Sequence, residues 1–90
     1  MYSKITTIVN ASGLHARPAA VFAKLAGAYE SKVTTRNITK ASSALDATSM
    51  LSIMMLAAKQ GDEVEIAAEG ADEEKAVDEL VQLLEDGCGE

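Results

Sequence analysis

The sequence predicts an α+β fold, β-α-β-β-α-β-α in order, with a four-stranded sheet covered on one face by three helices. Three observations lead there. Val64, Ile66 and Ala68 alternate with period two, which marks a half-buried strand. Ala76, Val77, Leu80, Val81 and Leu84 recur at helical spacing, as do Phe22, Leu25, Ala26 and Tyr29 earlier in the chain. Threonine, lysine and glutamate fill the remaining strand positions, so one sheet face meets helices and the other meets water. Alternation alone leaves the strand order open.

Taken in order, Tyr2 to Val9 is rich in Ile, Thr and Val and reads as the first strand, which Asn10-Ala11-Ser12-Gly13 ends with turn chemistry. Ala16 to about Ala28 favours helix. Pro18 fits only near the start of that helix, where amides lack an intrahelical partner and a missing N–H costs nothing. Lys32 to Asn37 is a second strand through Val33 and its threonines. Ile38 to Ala47 is polar and weakly patterned, a loop or irregular hairpin entering a short third strand. The stretch "TSMLSIMMLAAKQG" reads as a short, unusually apolar second helix, with Ser49 or Thr48 as its cap and Gly61 beyond its end. Asp62 to Ala68 is the fourth strand. Gly70 turns the chain, Asp72 is placed to cap the last helix, and Glu73 and Glu74 suit its positive end. No repeat or linker interrupts residues 1–90, which read as one domain with a tail, Gly87 to Glu90, expected to fray.

At 90 residues the chain can bury a modest core, and a shallow surface site is expected rather than an enclosed one. Its longest apolar run is far short of a membrane span, so no direct membrane contact is expected. Tyr2-Ser3-Lys4 lead into a strand and not into an apolar secretory segment, which makes the cytoplasm the default location. Cys88 is the only cysteine, so no disulfide framework or thiol metal cluster is available within one chain, and no metal or cofactor is expected. A net charge of −6 argues against nucleic acid as a partner. That average conceals a split: residues 1–60 carry seven cations against Glu30 and Asp46, while residues 61–90 carry twelve acids against Lys75. The one histidine lies in the electropositive part.

That histidine stands in "GLHARPAA", residues 13–20, just where the first helix begins. One imidazole without companion donors is a poor metal site, and no orienting acid accompanies it for hydrolysis with Ser12. Two readings of His15 stay open on chemistry alone. It is either a residue that caps or packs at a helix start, or a nucleophile that carries a phosphoryl group. The second draws on the helix-start amides of Ala16 and Arg17, on the positive end of the helix dipole, and on the guanidinium of Arg17.

"GLHARPAA" resembles the active-site signature of the HPr family, the histidine phosphocarriers of the bacterial phosphoenolpyruvate:sugar phosphotransferase system. "SMLSIMMLAAKQGDEVEIAAEGADEEKAVDELVQLLE" is similar to the second helix, last strand and last helix of that family, so the likeness extends over essentially the whole chain. The resemblance implies an open-faced β-sandwich of four antiparallel strands and three helices. It implies a carrier that accepts phosphate from phospho-enzyme I on Nδ1 of His15 and donates it to IIA proteins or domains of sugar permeases. Such a carrier is a stoichiometric transfer partner, not a stand-alone enzyme, and is expected to be monomeric. Arg17 matches the assisting arginine and Pro18 the adjoining proline.

Ser49 matches the serine that an HPr kinase/phosphorylase modifies in many relatives for carbon catabolite regulation through a further regulator. As an N-cap, Ser49 also has a purely structural reason to be there. Ala20, Lys24, Met50, Leu51 and Met54 are the expected partner contacts, because so apolar a second helix cannot bury every side chain against one sheet. Core packing competes for each methionine. The Asn37–Ala47 connection departs from the family by its length and by lacking an Asn-Gly type turn. "TTRN" and "SIMML" are also similar to the nitrogen-branch paralogue, NPr. A sugar-branch carrier, a nitrogen-branch carrier and a regulatory binding protein switched at Ser49 are therefore the three expectations.

Overall fold

The computed structural model describes residues 1–89. β-branched runs form the strands and the two amphipathic stripes form the long helices: β1 (Tyr2–Thr7), α1 (Ala16–Ala26), β2 (Lys32–Asn37), β3 (Leu45–Asp46), α2 (Met50–Met55), β4 (Glu63–Glu69) and α3 (Glu73–Glu85). A 3-10 turn, Gly87–Gly89, follows. The four strands form one antiparallel sheet in the order β1-β4-β2-β3. β4 pairs with β1 through Ile5↔Glu65 and with β2 through Arg36↔Glu65. The last full strand thus lies between the first two, which only the folded chain could decide.

All three helices lie on one face. The α3 stripe Ala76, Val77, Leu80, Val81 and Leu84 is buried and packs on β1 and β4. On α1 the buried set is Pro18, Ala19, Phe22, Ala23 and Ala26. Leu25 and Tyr29, expected in that stripe, sit at its margin and are only half buried. Phe22 and Leu80 are fully buried, each contributing about 1.5–3 kcal/mol over exposure. The open face carries Ser3, Thr7, Glu63, Glu65, Lys32, Thr34 and Arg36, with an Arg36–Glu65 ion pair at 2.8 Å. Ile5 is also there and exposed. Lys4 points to the helix side, where it meets Asp78 of α3 at 2.8 Å.

Several boundaries differ from expectation, each for a local reason. β1 ends at Thr7 and not Val9, although Ile8 N–H still donates to Asp62 O at 2.9 Å. α1 ends at Ala26, with the Gly27 amide closing onto Ala23 O. α2 ends at Met55, well before Gly61, because Ala57 adopts φ +51°, the left-handed turn that glycine usually supplies. Asp72 occupies the N-cap position of α3 without capping it. Its carboxylate instead accepts from the backbone amides of Glu30 (3.0 Å) and Ser31 (2.9 Å) and from the Ser31 hydroxyl. The tail docks through Gly87 and Cys88: Cys88 is buried, and the Asn10 side-chain amide donates to Gly87 O at 2.8 Å. Glu90, the remainder of the expected frayed tail, lies outside the described residues.

Candidate functional site

His15 is the N-cap residue of α1, in extended backbone conformation, and is exposed with Ala16 and Arg17 after it. Its carbonyl accepts from the Ala19 amide at 3.0 Å, while the ring makes no cap hydrogen bond to its own helix. Because Pro18 has no N–H, the amides facing out of this helix start are those of Ala16 and Arg17. No acidic residue stands in the first turn. The positive end of the dipole and the guanidinium of Arg17 therefore act together on whatever occupies this surface.

The turn before His15 is held from the segment that follows α2. Gly13 adopts φ +68°, and a Cβ there would lie 2.3 Å from Ala58 O, so both the conformation and the space demand glycine. Next to it the Leu14 amide donates to Ala58 O at 3.0 Å, and the buried Leu14 side chain anchors the turn to the core. A cleft behind the turn is lined by Val9, Asn10, Ala11, Ser12, Glu85, Asp86 and Gly87. Its two acids disfavour phosphate, so an anion is better placed at the start of α1.

α1 and α2 pack side by side. Ala20 and Lys24 are exposed on α1, and Met50, Leu51 and Met54 are exposed on α2 at 44%, 68% and 40%. Ile53 and Leu56 take the buried side of α2 instead. Met55 and Val21, also exposed apolar residues, extend this surface and were not anticipated. Val21 stands four residues after Arg17 and Met55 four after Leu51, so helical spacing could have found both. No ion pair involves Arg17 or Lys24 among the described residues, whereas Lys4, Arg36 and Lys40 meet Asp78, Glu65 and Asp62. Among the described residues, then, no acidic side chain pairs with the cations of α1.

Ser49 caps α2: its Oγ accepts from the Ser52 amide at 3.2 Å. Thr48, the other cap candidate, folds back onto Asp46, giving its hydroxyl (2.7 Å) and amide (2.9 Å) to Oδ1. Those bonds, the hydroxyl's first, hold the Asp46 carboxyl below the usual carboxylate range. Among the described residues no group of His, Cys, Asp and Glu could hold a metal ion, and no helix is long and apolar enough to cross a membrane.

An open-faced antiparallel sheet under three helices, with one histidine exposed at a helix start, defines a small α+β protein whose candidate site lies on its surface. Residues 2–86 match the model of the family described as "PTS HPr component phosphorylation site". The phosphocarrier protein HPr of Haemophilus influenzae is 42% identical over 84 residues, covering 93% of this chain and 95% of that protein. The phosphocarrier protein NPr of Proteus mirabilis is 37% identical over 83 residues, covering 92% and 90%. A crystal structure of HPr-C-His from Thermoanaerobacter tengcongensis superposes with a TM-score of 0.90 at 40% identity, covering 100% of this chain and 98% of that one. The chain belongs to the HPr family of phosphotransferase-system phosphocarriers.

Proposed function

We propose that His15 is the phosphoryl acceptor of a sugar-branch carrier, with phospho-enzyme I as donor and IIA proteins or domains as recipients. The observation that carries this reading is an exposed imidazole at the positive end of α1, beside Arg17 and above a turn pinned to Ala58. The Nδ1 lone pair forms a bond to phosphorus as the bond to the enzyme I donor atom breaks, and that electron pair leaves with the donor. The Nε2 proton stays in place. Two amides, Ala16 and Arg17, and the Arg17 guanidinium hold the phosphoryl oxygens without needing to reorganise. Ala20, Lys24, Met50, Leu51 and Met54 form the docking surface, an adaptable apolar patch with a cationic rim suited to successive partners. Incubation with phosphoenolpyruvate and enzyme I is expected to add a single acid-labile phosphate, read by mass spectrometry and absent in His15→Ala. An unmodified wild-type chain would overturn the reading.

Ser49 is the proposed regulatory site. A phosphate there would add up to about two negative charges in the middle of the docking surface and slow transfer from enzyme I. The signature is an acid-stable, ATP-derived phosphate, lost in Ser49→Ala. Relatives named HPr and NPr are both similar to this chain, so the branch is assigned by competition: the phosphorylated protein is expected to discharge faster onto a sugar-type IIA than onto a nitrogen-type one.

A further inference from the structure

The peptide unit joining Ala58 to Lys59 has both of its polar groups committed. Its carbonyl, Ala58 O, accepts from the Leu14 amide at 3.0 Å, and its N–H, on Lys59, donates to Asp62 Oδ2 at 3.1 Å. The two groups of a planar peptide point in opposite directions, so whatever fixes the N–H aims the carbonyl. The Asp62 carboxylate is itself held: the Asn37 side-chain amide donates to the same oxygen at 3.2 Å, and the Lys40 ammonium lies 3.9 Å away. The same two residues secure the preceding carbonyls, Asn37 on Leu56 O at 3.1 Å and Lys40 on Ala57 O. Through this segment the chain makes a left-handed turn at Ala57, φ +51°, a conformation that alanine holds only when its surroundings impose it.

We propose that Asp62, clamped by Lys40 and Asn37, is a positioning residue for His15: it aims the Ala58 carbonyl on which the Gly13–Leu14 turn, and with it the start of α1, is hung. Asp62 touches no reacting atom. It acts through one peptide unit, and a small displacement of a nucleophile is enough to slow transfer substantially. This rests on the reading of His15 as phosphoryl acceptor, and the experiment separates the two.

Asp62→Ala removes the clamp, whose carboxylate is only 14% exposed, and Asp62→Asn restores an acceptor oxygen without the charge. Two quantities are measured on the intact protein: the kcat and KM of phosphorylation by phospho-enzyme I, and hydrogen exchange of the Leu14 amide against that of the β4 amides. In Asp62→Ala, kcat is expected to fall about tenfold with KM for enzyme I unchanged, while Leu14 exchanges faster and β4 does not. Asp62→Asn is expected to recover most of both. An unchanged kcat and unchanged Leu14 exchange would overturn the proposal. So would uniformly faster exchange across the sheet, which marks general destabilisation instead of positioning. A wild-type chain that takes no phosphate on His15 refutes the acceptor reading by itself, and Leu14 exchange then decides the clamp alone.

Discussion

The starts of α1 and α3 are built from the same backbone and finished in opposite ways. α3 opens with Asp72, Glu73 and Glu74, so its positive dipole end is met by resident carboxylates. Glu73 also accepts from the Gly70 amide at 3.2 Å and pairs with the amino terminus at 3.3 Å. α1 opens with His15, Ala16 and Arg17 and has no acid in its first turn. One helix start carries two acids in its first turn, and the other carries none. α2 is the intermediate case, closed by the neutral Ser49 hydroxyl. The difference teaches that the charge character of a helix start is set by what the sequence withholds from its first turn as much as by what it supplies.

The comparison can be broken by giving α1 the chemistry of α3. Ala16→Glu places a carboxylate at the α1 start and is expected to slow phosphoryl transfer on the order of a hundredfold, while stabilising the helix by about 0.3–1 kcal/mol. Transfer kinetics and thermal unfolding on the same sample would show the two effects moving in opposite directions. A weaker version removes only the cation: Arg17→Ala is expected to slow transfer about tenfold, with stability unchanged. For α2, Ser49→Ala removes the cap and should cost about 1 kcal/mol in chemical denaturation while leaving transfer near wild type. The smallest effect belongs to α3 and depends on pH. Hydrogen bonds from Ser31 Oγ, the Glu30 amide and the Ser31 amide hold the Asp72 carboxyl below its ordinary value. A carboxylate lowered on folding stabilises above its unfolded pKa of about 3.9, and that stabilisation disappears as pH falls through the lower folded value. Wild type and Asp72→Asn should therefore differ in melting temperature at neutral pH and converge under acid conditions.

Residues with one dominant physical preference were legible in the sequence. Pro18 placed the start of α1 because only the first helical turn tolerates a missing N–H, and the apolar stripe of α3 placed that helix and its buried face. The helix-start positions of His15 and Ser49 were legible for the same reason: each is the N-cap residue of its helix. Residues with competing partners were not. Asp72 had a local role as a cap and took a distant one on Ser31, because a carboxylate near two converging amides and a hydroxyl gains more than one bonded to its own helix. Ala57 looked like helix interior, yet it terminates α2 in a left-handed turn whose flanking carbonyls are taken by Asn37 and Lys40.

The sequence by itself determined which segments are strands and helices, which faces are apolar, and that the one histidine meets an arginine at a helix start, since all of these follow from spacing and backbone preference over a few neighbouring residues. Only the tertiary structure decided the strand order β1-β4-β2-β3, the meeting of α1 with α2, and the hanging of Gly13 and Leu14 on Ala58. Those contacts join residues far apart in the chain. Their selection depends on how the whole apolar surface is buried at once, a quantity no short stretch of sequence contains.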